Sequence, residues 1–300
     1  MPEAPFNLRA ISLRELLDEG LRLTRQSFRR LYLPFAIPVA LAATAMTVIQ
    51  AGFYGAVGEA GGFGGDPTSV MAGFGATMIA MLAYVALYLL ANTAMLGAMV
   101  WTATGEPAGP ARAWRWAVSS RVLGTLVLQG LLIGIGLLFC VVPGIVVMLR
   151  LWLTGAVMAG ERQYGADALR RSAELLTHNP ERKLAASPQL KVIAIVFATW
   201  LVSAVATMAV NLPFAIAQQI IVFRSIVGAG GDDAPAAVLD TLVWFQAPQA
   251  LLGGLVTVAV GLYSAALGAL FFLDLCRRRE GDDLEAALDE LGAPRPPVAA

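Results

Sequence analysis

The stretch GTLVLQGLLIGIGLLFCVVPGIVVMLRLWLTGAVMAG, residues 124–160, contains one charged side chain, Arg150, and one pair suited to a turn, Pro143 and Gly144. About 20 apolar residues in a helix cross the roughly 30 Å hydrocarbon core of a bilayer, and two such runs meet at the Pro-Gly pair. Proline lacks a backbone N–H and disfavours helix at Val142, while glycine accepts backbone angles closed to other residues. The spacing predicts a tight hairpin there. Its returning helix would place Arg150 roughly 9 Å below the turn at about 1.5 Å per residue.

The rest of the chain repeats this character. Hydrophobic residues make up 58% and charged residues 14% of 300 positions, against roughly 45–50% and about 25% in soluble proteins. Mean hydropathy is +0.69. The reading is an all-α, polytopic membrane bundle with spans near 31–54, 71–101, 120–142, 144–161, 191–224 and 244–276. An amphipathic interfacial helix over 1–30 precedes this membrane domain of residues 31–276, and a cytoplasmic tail over 277–300 follows it. The beginning of the chain has no apolar core and cleavage site of a secretory signal, so the first span is expected to be retained.

All of the 21 basic residues except Arg150 and Arg224 fall before the first span, within 102–121, within 161–191, or after span six. The glycine-rich 55–70 segment has acids but no Lys or Arg. This distribution predicts both termini on the cytoplasmic side. It also puts Cys140 and Cys276 at opposite faces, too far apart for a disulfide.

Basic amphipathic segments at 11–30, 107–121 and 164–184 each precede a pair of spans; they mark either three hairpins with surface helices or only the basic loop from which any hairpin starting on the inner side must begin. In the first, Ser12 and Glu15 have capping-box spacing. The apolar positions Ile11, Leu16, Leu17, Leu21 and Leu23 face either the acyl boundary or the protein's own inner side. In the third, Asp167 and Arg171 have i, i+4 spacing, and Ala166, Leu169, Ala173 and Leu176 form an apolar stripe.

Arg150 has two readings. A charge deep in lipid is costly, so it either binds an anion in a cavity, helped by Asn92, Gln129 or Asn211, or it snorkels or is clamped to loop carbonyls. Asn211 with Pro213 similarly reads as a ligand-binding kink or simply a kink. Gly130 with Gly134, and Gly261, Ser264 and Gly268, mark close helix contacts.

Catalytic and metal motifs are missing. His178 is the sole histidine, and its position suits a helix end better than a metal. No P-loop, dinucleotide fingerprint, HExxH or GxSxG occurs. The expectation is no enzyme, no cofactor and no metal. Zero net charge and the absence of recognition motifs make nucleic acid an improbable partner.

Two basic stretches are more specified than a solvated loop requires: GERQYGADALRRSAELLTHNPER at 160–182 and FFLDLCRRREGDDLE at 271–285. In the second, Asp274 precedes Arg277 and Arg278 by about one turn. Together with VPGIVVMLR, the pattern resembles the YciC-like proteins and the membrane domain found beside glycerophosphoryl diester phosphodiesterases. The resemblance spans the chain and includes the amphipathic start SLRELLDEGLRL. It rests on Pro143, Gly144, Arg150, Glu161, Ala168, Leu169, Arg171, Ser172, Leu175, Asp274, Arg277, Glu280, Gly281, Asp283 and Leu284. It implies a six-helix bundle in a bacterial plasma membrane, without an assigned reaction. Cys276 departs from the pattern, and the chain has no room for a phosphodiesterase barrel.

The resulting expectation is a non-catalytic scaffold or partner module, embedded in the lipid bilayer and contacting another membrane or cytoplasmic protein. Its candidate residues are Pro143, Gly144, Arg150, Glu161, Arg171, Ser172, Asn211, Asp274 and Arg277. The alternative is a transporter or lipid-handling protein that binds an anionic group near Arg150.

Overall fold

The computed structural model describes residues 12–59, 67–177, 187–228 and 234–290. His178 and Arg295 lie outside the described residues, as do residues 60–66 of the glycine-rich loop and the end of the tail. Among the described residues the chain is helical, with no strands, in nine elements. These are α1 Leu13–Glu59, α2 Pro67–Ala103, α3 Pro110–Ala117, α4 Ser120–Phe139, α5 Val141–Arg150, α6 Thr154–Gly160, α7 Ala166–Thr177, α8 Pro188–Gly228 and α9 Ala234–Glu290. Six candidate membrane spans are long and apolar enough to cross a bilayer, as expected, with α5 and α6 together forming the fourth.

The first amphipathic segment is continuous with the first span. Ser12 and Glu15 do form a capping box: the Ser12 N–H donates to Glu15 Oε2 at 2.8 Å, and the Glu15 N–H donates to Ser12 Oγ at 3.3 Å. The helix then runs through Pro34 and Pro38. Pro38 cannot donate to the Pro34 carbonyl one turn back, and the Trp114 indole N–H of α3 bonds that carbonyl at 3.3 Å instead. Leu16, Gly20, Thr24, Ser27, Leu31, Phe35 and Val39 form the buried stripe, while Leu21 is exposed. The helix therefore packs on its own protein, chiefly α9. α9 likewise continues past the predicted end of the sixth span to Glu290.

Glycines set the closest helix approaches. A Cβ on Gly20 would lie 2.4 Å from Leu267 Cδ2, and one on Gly254 would lie 2.6 Å from the Ala40 Cα. These contacts hold α1 and α9 antiparallel, with the start of α1 and the late part of α9 at the same end. Gly261 and Gly268 pack α9 against Met95 and Leu96 of α2, as their spacing suggested. Gly130 and Gly134 do not pack: both are exposed, and a Cβ on either meets nothing within 4 Å.

The hairpin turn falls at Cys140 rather than at Pro143 and Gly144. Cys140 is extended (φ −172°, ψ 145°) and separates α4 from α5. Pro143 is the third residue of α5, in the first turn, where a missing N–H breaks no intrahelical bond. Gly144 serves close approach instead, since a Cβ there would sit 2.8 Å from the Leu137 backbone nitrogen.

The buried core gathers at the arginine-bearing end. Phe35, Met95, Met99, Met158, Leu176, Ile195, Phe271 and Phe272 are fully enclosed there. Toward the other end apolar side chains face outward, with Leu138 and Phe139 more than four-fifths exposed. Lipid would satisfy such side chains as well as a protein core does, so helices that cross a membrane need not cover them.

Candidate functional site

At the arginine-rich end, α6 stops at Gly160 and a short loop leads into α7. Arg162 and Gly165 take left-handed backbone angles (φ 57° and 65°), which reverse the chain. The Gly165 N–H donates to Thr125 Oγ1 at 2.7 Å, fixing the loop to α4. This reversal brings Glu161 over α7, where Arg171 Nε bonds both carboxylate oxygens at 3.0 and 2.9 Å.

Arg171 therefore pairs with Glu161 and not with Asp167. The i, i+4 spacing permits the latter contact, but Asp167 stays exposed while Glu161 arrives in a half-buried position. The hydrogen bond to Glu161 raises the Arg171 pKa above its ordinary value. The Cys276 thiol also lies 3.6 Å from Glu161 Oε1, tying α9 to the same carboxylate. The face of α7 that is buried consists of Ala168, Leu169, Ser172, Leu175 and Leu176, whereas Ala166 is exposed.

α9 supplies a second set of charges. Buried Asp274 meets Arg278 at 2.8 Å, so the compensation expected at Arg277 or Arg278 is made at least by Arg278. Arg277 is partly buried beside this pair. Arg278 Nη2 contacts Asp274 as an ion pair outside hydrogen-bond alignment, and its Nε is buried without an acceptor. Glu174 of α7 joins Arg170 at 3.1 Å and Arg279 at 3.4 Å.

Between α4 and the α6–α7 loop lies a cavity of about 770 Å³, lined by Arg121, Glu161, Arg162, Gln163, Tyr164, Asp167, Arg170, Arg171 and Glu174. Arg150 does not line it. Among the described residues no three of His, Cys, Asp and Glu stand close enough together to hold a metal ion.

Arg150 ends α5 where span four breaks. Thr154 N–H bonds Leu151 (3.1 Å) rather than Arg150, so the Arg150 carbonyl loses its helical donor. Ser172 Oγ of α7 donates to it at 2.9 Å. The Leu151 carbonyl also accepts Thr154 Oγ1 at 2.7 Å and Gln129 Nε2 at 3.1 Å. The sequence-selected Arg150 and Ser172 thus meet through a backbone carbonyl. Arg150's side chain is exposed and has no hydrogen bond or ion pair among the described residues.

With the turn at Cys140, Arg150 is ten residues along the returning helix, roughly 15 Å at about 1.5 Å per residue. It is deeper than its distance from Pro143 and Gly144 implied. Asn92 and Asn211 do not gather around it. Asn92 is exposed, while Asn211 Oδ1 accepts Gln249 Nε2 at 2.9 Å. Gln249 Oε1 in turn accepts Gln218 Nε2 at 3.2 Å. Asn211 thus joins α8 to α9, and Pro213 lies inside an uninterrupted helix.

Sequence reading missed Thr125, Gln218, Gln249 and the capping role of Trp114. The amides had a usable signal, because isolated Gln residues in two apolar spans invite pairing across a hairpin. The comparisons with protein-family models, curated proteins and solved structures each find no match to the chain.

Proposed function

We propose that this chain is a non-catalytic, six-span protein of a bacterial plasma membrane, a scaffold or partner module that presents its arginine-rich end to another membrane or cytoplasmic protein. Both termini lie on the cytoplasmic side. The one-sided distribution of basic residues supports this orientation. An even number of candidate spans, with the start of α1 beside late α9, is compatible with it. The likeness to the YciC-like group and the phosphodiesterase-associated membrane domain belongs to the same proposal, on the residues quoted for it.

The observation that carries the reading is the set of cross-links made by α7. Glu161 with Arg171, Glu174 with Arg279, and Ser172 with the Arg150 carbonyl fasten one amphipathic helix to three neighbouring elements. Such bonding fixes a polar surface at this end. Arg150 as an anion-binding centre draws support from its depth, but the cavity at this end is formed by other residues.

A photo-reactive amino acid at exposed Ala166 tests the proposal in membranes. Specific adducts are expected with the wild-type background and a changed pattern with Arg171→Gln or Asp274→Asn. Adduct patterns left unchanged by both substitutions would oppose a partner-binding role for this face.

A further inference from the structure

We infer that the cavity between the start of α4 and the α6–α7 loop binds a phosphate-bearing anion, either a phospholipid headgroup or a soluble phosphate. Its lining contains four guanidinium groups, from Arg121, Arg162, Arg170 and Arg171, and three carboxylates, from Glu161, Asp167 and Glu174. Two of those carboxylates are already engaged. Glu161 accepts both contacts from Arg171 Nε, and Glu174 is shared by Arg170 and Arg279.

The cationic side is less committed. Arg170 and Arg171 make these pairs through Nε, leaving their terminal nitrogens for another acceptor. Arg162 reaches Glu106 only at 4.0 Å, and the Arg121 guanidinium makes no hydrogen bond or ion pair among the described residues. Planar guanidiniums with open terminal nitrogens match the paired oxygens of phosphate, and Tyr164 and Gln163 add neutral donors at the rim. A cation would find chiefly Asp167.

The loop that carries Arg162 is also fixed. Arg162 adopts a left-handed backbone angle unfavourable for a residue with a Cβ, between Glu161 held by Arg171 and Gly165 held by Thr125. Its charge is therefore presented from a defined backbone. Leu128 and exposed Leu132 lie on the same face of α4 as Arg121, at helical spacing from it. If the proposed membrane placement holds, acyl chains would follow that apolar path when the anion is a lipid headgroup. Anion binding itself does not depend on that placement or on a protein partner.

The test uses the full chain purified in neutral detergent. Native mass spectrometry measures retained phosphatidylglycerol against diacylglycerol, and equilibrium dialysis measures radiolabelled inorganic phosphate. The variants are Arg121→Gln/Arg162→Gln, Asp167→Asn, and Arg115→Gln as a control outside the cavity. Losing two charge-assisted contacts should weaken binding about tenfold or more, while Asp167→Asn should tighten it several-fold and Arg115→Gln should leave it unchanged. The tightening cannot arise from misfolding. Phosphatidylglycerol binding with this pattern assigns a lipid source, and phosphate binding with this pattern assigns a soluble one. Absence of both, or binding unaffected by Arg121→Gln/Arg162→Gln, would overturn the proposal.

Discussion

The Ser172 hydroxyl donates to the Arg150 carbonyl at 2.9 Å, replacing a donor that the break after α5 removes. This bond ties α7 to the interruption in span four. Ser172 is fully buried, so Ser172→Ala should leave an unsatisfied carbonyl and cost about 1–3 kcal/mol. Thermal unfolding in detergent checks this, and a melting temperature unchanged from wild type would show that the bond contributes nothing measurable.

Trp114 plays a comparable part at α1. Trp114→Phe keeps an aromatic ring beside Phe35 but removes the donor to the Pro34 carbonyl. The expected loss is about 1 kcal/mol. Pro38→Ala restores a backbone donor to that carbonyl and should make the Trp114→Phe loss smaller. A double-mutant cycle by denaturant or thermal unfolding measures the difference, and strict additivity would refute the compensation.

The two glycine sets should behave differently. Gly254→Ala places a methyl 2.6 Å from the Ala40 Cα, which cannot rotate away, so α1 and α9 must separate at a cost of about 1–3 kcal/mol. Gly130→Ala meets nothing within 4 Å. It should be neutral or slightly stabilising through helix propensity. Parallel melting curves decide, and equal sensitivity at both sites would contradict the packing described.

Six candidate spans, the Ser12–Glu15 cap and the short helices α3 and α7 were legible because they depend on local hydropathy and periodicity. The hairpin turn was not, because proline is tolerated in a first helical turn and glycine has two uses, bending and close approach. Nor was the partner of Arg171. Glu161 reaches it through the left-handed angles at Arg162 and Gly165, and no residue spacing announces those. The surface helix expected over 1–30 and the first span are one continuous α1, in which the α3 indole supplies the donor that Pro38 denies the Pro34 carbonyl. Candidate residues could be picked from the sequence, but their partners required the fold.

Gln249 bridges Asn211 and Gln218 within apolar spans, so Gln249→Leu removes both hydrogen bonds. Interhelical bonds in membranes are worth about 0.6 kcal/mol each on average, so Gln249→Leu should lose roughly 1 kcal/mol, more than Asn211→Leu or Gln218→Leu. Comparative unfolding in lipid bicelles measures the order. A smaller effect at Gln249 than at either neighbour would count against the bridge.

The most direct measurement of the proposed membrane arrangement is impermeant maleimide labelling of intact bacterial cells expressing the chain with Cys276→Ser. Exposed Cys140, at the tip of the α4–α5 hairpin, should react without permeabilisation. In a Cys140→Ser, Cys276→Ser chain, a cysteine placed at Gly105 between α2 and α3 should react only after permeabilisation. The reverse pattern, or labelling of both positions in sealed cells, would contradict the six-span orientation with the arginine-rich end inside.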